Sequence, residues 1–148
     1  MLFRSVTVID GLGRTAHFSG SQTLGIHAAL SGEQCVAAGN MLANPDVIAA
    51  MVGVFENASG PLADRLLAAM HAGQAHGGEA GPVHSAALMV VDELLWPIVS
   101  LRVDWADADP IGALDLLWQA YRGQLQDYLD RALNPHIAPG YAVPGDDR

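Results

Sequence analysis

The residues from Glu33 to Phe55 constrain the fold more than any other stretch of the chain. Glu33 to Ala38 reads as a strand, Gly39-Asn40 as a turn, and Asn44-Pro45-Asp46 as a strongly marked helix start. Asn44 suits the N-cap, because its side-chain oxygen can accept an unpaired N–H of the first turn. Pro45 fits the first helical position, where no N–H is needed. Asp46 puts a negative charge at the positive end of the helix dipole. The helix is expected over 45–58, with Val47, Ile48, Met51, Val52, Val54 and Phe55 forming an apolar arc wide enough to be well buried.

The other elements are expected to pack around this unit. Before it, Arg4 to Asp10 alternates as a strand, Gly11-Leu12-Gly13-Arg14 turns, and Thr15 to Ser19 returns to make a hairpin. Gly20 to Gly32 carries three glycines and small polar residues and reads as a loop. After it, Gly60 ends the first helix and Pro61 opens a second over 61–74, giving an αα-hairpin. Ser85 to Val91 is apolar on both faces, which predicts a strand covered on both sides. In 98–103, Val99, Leu101 and Val103 share one face, and Ser100, Arg102 and Asp104 share the other. Asp109-Pro110 starts a single long helix predicted to run to Leu133. Its seam Ile111, Leu114, Trp118, Tyr121, Leu125 and Tyr128 suits either the body of the protein or a partner copy. The expected organisation is one α+β domain over 1–134, with a mostly antiparallel sheet, and a flexible tail over 135–148.

Composition narrows the function. There are seven Lys+Arg, every one of them Arg, against sixteen acids, for a net charge of −9. Such a surface repels phosphate backbones and anionic lipid, so neither nucleic acid nor a membrane is an expected partner. No apolar run approaches the length of a membrane span, and the N-terminus lacks a signal-peptide pattern, so a cytoplasmic location is expected. Cys35, the single cysteine, reads as a small core residue. His71 and His76 are five apart, which puts them on different sides of a helix, and Gly11-Leu12-Gly13 opens no helix. Neither a metal nor a cofactor is expected.

The polar residues that fall at strand ends are the candidate site. Gly39 lets a ligand approach the backbone, and the Asn40 carboxamide beside it can donate to a carbonyl or a developing oxyanion. The alternative for Asn40 is a turn that satisfies its own backbone. Arg102 and Asp104 suit either a structural ion pair or the binding of a polar ligand group, and Ser85 begins the neighbouring strand.

The segment Ser31 to Leu42 resembles the bacterial family DUF1028. Val8 to Arg14, Ala16 to Gly20, Pro61 to Met70, Gln74 to Gly78, Ser85 to Leu88, Leu101 to Asp104 and Asp109 to Ile111 resemble further pieces of that family, in the same order. The family is grouped with the N-terminal-nucleophile hydrolases. The resemblance therefore implies a layered αββα sandwich and hydrolysis of a small amide. It also implies that the chain corresponds to the family's C-terminal portion, and Met1-Leu2 offers no N-terminal Thr, Ser or Cys. Two expectations follow. In one, the chain is an amide-bond hydrolase domain that holds a pocket wall of Gly39, Asn40, Ser85, Arg102 and Asp104, while an upstream segment or partner chain supplies the nucleophile. In the other, it is a non-catalytic interaction domain forming a homo-oligomer through the Trp118/Tyr121/Leu125 seam or an open sheet edge.

Overall fold

A computed structural model describes residues 2–146. Its strands are β1 (Ser5–Ile9), β2 (Thr15–Ser19), β3 (Ala28–Gly32), β4 (Cys35–Gly39), β5 (Ala86–Val90) and β6 (Val99–Val103). Its helices are α1 (Asp46–Asn57), α2 (Leu62–Ala75), α3 (Pro110–Arg122) and α4 (Leu125–Leu133). The α+β class expected from the sequence is what is found. The strands form three separate two-stranded antiparallel sheets, each a consecutive pair, where one central sheet was expected.

The β1–β2 turn forms where the sequence places it. Asp10 Oδ1 accepts the N–H groups of Leu12 and Arg14, each at 2.9 Å, and these bonds with Arg14 lower the Asp10 pKa. Gly13 has φ of 75°, and a Cβ there would come within 2.7 Å of Gln34, so the first two hairpin turns touch. At the start of α1, Asn44 Oδ1 accepts from Asp46 N at 3.0 Å. Asn44 Nδ2 donates to His76 O at 2.8 Å, which ties the beginning of α1 to the end of α2.

Two expectations need correction in the elements themselves. The expected loop before Glu33 contains β3, which pairs Ala28 with Gly39 and Gly32 with Cys35. The expected third strand therefore starts later, because Glu33-Gln34 is the hairpin turn, with Gln34 at φ 54°. The long C-terminal helix is interrupted at Gly123-Gln124 into α3 and α4. Glycine lowers helix stability by roughly 1 kcal/mol relative to alanine, and Gly123 sits in the middle of the run, where such a loss favours a break. The apolar seam continues across the break, with Tyr121 and Tyr128 stacked at 5.9 Å.

Alternation of side chains fixes the layers. Ala37 packs with Leu42, Val47, Ile48 and Met51, so one face of β3–β4 meets α1. Ser31 points the other way and meets His17 of β2, Oγ to Nδ1 at 3.3 Å. The β1–β2 hairpin thus lies across the face of β3–β4 opposite the helices. Beside it, Leu88, Val90 and Val99 of β5–β6 pack on Ala63 and Leu67 of α2 and on Leu114 and Trp118 of α3. The other face of β5 is open: Ala87 is exposed and Met89 is 62% exposed. The expectation that β5 is covered on both faces is therefore not met. Trp118 is 3% exposed within this chain's own core, and Tyr121 Oη donates to Ile98 O at 3.1 Å. The seam is used internally, so it is not a free dimer surface. Beyond α4 the chain turns back: Arg131 donates to Pro139 O at 3.1 Å and stacks over the Tyr141 ring.

Candidate functional site

The structure separates the five candidate residues into two groups. Gly39 and Asn40 lie at the end of β4, on a cavity of about 460 Å³ between β4 and the start of β1. Its walls include Arg4, Ser5, Thr7 and Thr23. Ser85, Arg102 and Asp104 do not line it. Arg102 and Asp104 form an ion pair on the exposed face of β6, and Ser85 lies exposed just before β5. Both side chains of the pair are more than two-thirds exposed, so solvent screens most of the attraction. The single pocket wall expected from the sequence is therefore not assembled from these five residues.

The cavity's polarity follows from the pleat. Ser5 and Thr7 share the face of β1 turned toward β4, while Val6 and Val8 share the other. Ser5 Oγ pairs with Ser19 Oγ at 2.8 Å across the hairpin. Thr23 is buried and its hydroxyl donates to Gly20 O at 2.8 Å. Neither hydroxyl has a histidine or carboxylate as partner, so neither is set up as a nucleophile. Asn40 Nδ2 reaches Leu24 O at only 3.4 Å, longer than a good N–H···O bond, so the amide is free to turn to a ligand. A Cβ on Gly39 would come within 2.9 Å of Leu42 Cδ2, so a larger residue there needs the Leu42 side chain to shift.

Of the residues the sequence singles out, Gly39 and Asn40 line this cavity; Arg4 and Thr23, which carry no sequence signal of their own, line it too. The alternation of Ser5 and Thr7 was visible, but their proximity to Asn40 is set by the stacking of two hairpins. Cys35 is half-buried at the opposite end of β4, and burial, with the Glu56 carboxylate nearby, pushes its thiol pKa up. A raised pKa keeps the thiol protonated, which is the wrong state for a nucleophile. His71 Nε2 lies 3.7 Å from Asp115, while His76 Nδ1 contacts Ala72 O, so the two histidines have separate partners. No helix among the described residues is long and apolar enough to cross a membrane.

The crystal structure of protein SPO2555 from Silicibacter pomeroyi, a DUF1028 protein, superposes with a TM-score of 0.77 at 34% sequence identity. The match covers 86% of this chain and 54% of that one, so the chain spans about half the length of the relative. No match was found among curated proteins. The family of unknown function DUF1028 matches residues 2–114. That match spans well over half of the sequence, and the chain belongs to the DUF1028 family.

Proposed function

We propose that this chain contributes the carbonyl-binding wall of an amide-bond hydrolase, within an αββα fold of the N-terminal-nucleophile type. The observation that carries the reading is the Asn40 carboxamide, loosely held on a polar cavity at a strand end. An amide N–H aimed at developing negative charge stabilises the transition state more than the ground state. Arg4, which lines the same cavity, suits a carboxylate on the substrate, so an amide carrying a carboxylate is the preferred class. The attacking group would come from chain corresponding to the part of the relative that is not matched here. The layered order of helices, β3–β4 and β1–β2 supports the sandwich. So does the apolar outer face of β1–β2, with Val8 at 55% and Phe18 at 52% exposed. That face stands where a second helical layer would lie. Arg102 and Asp104 keep the role of an orienting pair only if that added chain extends the site across β6.

The test is an amidase assay on this chain refolded with the unmatched segment of the Silicibacter pomeroyi protein, using N-acyl amino acids. Activity is expected, with Asn40→Ala lowering kcat by about 10²–10³-fold, the usual cost of one oxyanion donor. Equal activity in the variant removes Asn40 from the mechanism, and a folded but inactive complex overturns the reading.

A second reading, a non-catalytic homo-oligomer, is favoured by the same exposed apolar face of β1–β2. Light scattering on the isolated chain decides it: a monomer at all concentrations counts against association.

A further inference from the structure

The facing edges of β4 and β5 enclose a slot that nothing among the described residues fills. A cavity of about 480 Å³ lies between them, roofed by Met51 and Phe55 of α1 and by Leu66 and Met70 of α2. It is lined by three successive residues of each strand, Cys35-Val36-Ala37 and Ala87-Leu88-Met89. Successive residues of a strand point to opposite faces. A cavity lined by all three therefore meets each strand along its edge and not on one face.

Both edges are unpaired among the described residues, since β4 pairs only with β3 and β5 only with β6. Gly32 and Cys35 flank the two-residue turn and so form the hydrogen-bonded pair that closes it. Alternation along an antiparallel ladder then turns the N–H and C=O of Val36 away from β3, toward the slot, and those of Ala38 outward along the same edge. The slot's lining carries no charged side chain. An apolar small molecule seated here would bury those backbone groups without partners, which is costly. A strand satisfies both edges at once.

We infer that the slot receives one extended, uncharged segment of polypeptide, inserted between β4 and β5 so that the two sheets become one. The segment belongs to the unmatched part of the fold, because the relative has nearly as much chain again beyond the region shared with this protein. This insertion is independent of the hydrolase reading, since a strand can complete the sheet whether or not catalysis follows.

The experiment uses the full chain and overlapping peptides of about ten residues, each long enough for one strand. The peptides span the unmatched part of the Silicibacter pomeroyi protein. Binding is read by calorimetry and by amide hydrogen exchange. One peptide is expected to slow exchange about tenfold or more in β4 and β5 together, while β1–β2, apart from Ile9 at the slot's rim, is unaffected. The same peptide N-methylated at alternate residues, and the chain variant Val36→Pro with the unmodified peptide, are each expected to lose that protection. Three results overturn the inference. They are equal binding of the methylated peptide, which marks a side-chain pocket; protection of β4 and β5 that grows with concentration of this chain alone, which marks a second copy; and no peptide protecting both strands. If Val36→Pro does not fold, the methylated peptide decides the matter alone.

Discussion

The α2–β5–β6–α3 region and the β1–β2 hairpin both present rows of branched and aromatic side chains, and they meet opposite fates. In the first, Leu88, Val90 and Val99 are covered by Leu67, Leu114 and Trp118, and Leu114 is 0% exposed. In the second, Val6, Val8 and Phe18 form an apolar row with no element of this chain packed on it among the described residues. The hairpin is held instead by its inner face of small polar residues, such as the Ser5–Ser19 and His17–Ser31 contacts. Apolar alternation says that a face wants cover, and the rest of the fold decides whether cover arrives.

The largest effect that tests this contrast is Leu114→Ala. It should cost about 2–5 kcal/mol in denaturant unfolding, as truncation of a fully buried leucine does. A cost below 1 kcal/mol would mean that the packed region is no tighter than the hairpin. Asp64→Ala comes next. It removes the acceptor of Trp118 Nε1 at 2.6 Å and of Arg122 at 3.3 Å. Leaving the indole N–H unpaired in the core should cost about 1–3 kcal/mol, measured the same way.

Asp109 gives a smaller, pH-dependent effect at the edge of the packed region. Its carboxylate accepts from Gly112 N at 2.9 Å at the start of α3 and from Gln74, and these bonds lower its pKa. A carboxyl with a lowered folded-state pKa stabilises above its unfolded pKa, and this contribution is lost as pH falls through the folded value. Thermal melts of the wild-type chain and Asp109→Asn should therefore converge between about pH 5 and pH 2. A gap constant over that range would show that the charge plays no part. The smallest effect expected is that of Phe18→Ser, within about 0.5 kcal/mol in the isolated chain. A larger loss would show that the row is buried in solution.

The parts of the fold legible in sequence were those where local chemistry and tertiary need agree. The β1–β2 hairpin has Asp10 and Gly13 to make its turn, and α1 and α2 carry Asn44-Pro45 and Gly60-Pro61 at their boundaries. β3 was hidden because Ala28-Ala29-Leu30-Ser31-Gly32 has no β-branched residue. Small residues are what the position needs, since α1 lies on one side and β2 on the other. A Cβ on Gly32 would come within 2.7 Å of Val52. Its turn was hidden too, because Gln34 takes a left-handed φ that glycine or asparagine usually occupies. At the site, a glycine followed by a carboxamide drew attention to Asn40, while Arg4 sits thirty-six positions earlier and comes near only because one hairpin stacks on another.

By itself the sequence determined the β1–β2 hairpin and its turn, the starts of α1 and α2, the polar face of β6 and the place of Asn40 at a strand end. Each of these rests on contacts within a few residues or on a fixed period. Only the tertiary structure decided which faces are covered, that the candidates fall into two groups, and that β4 and β5 face each other unpaired. Those outcomes depend on how separate hairpins and helices pack, and no local pattern encodes the distance between two strands about fifty residues apart.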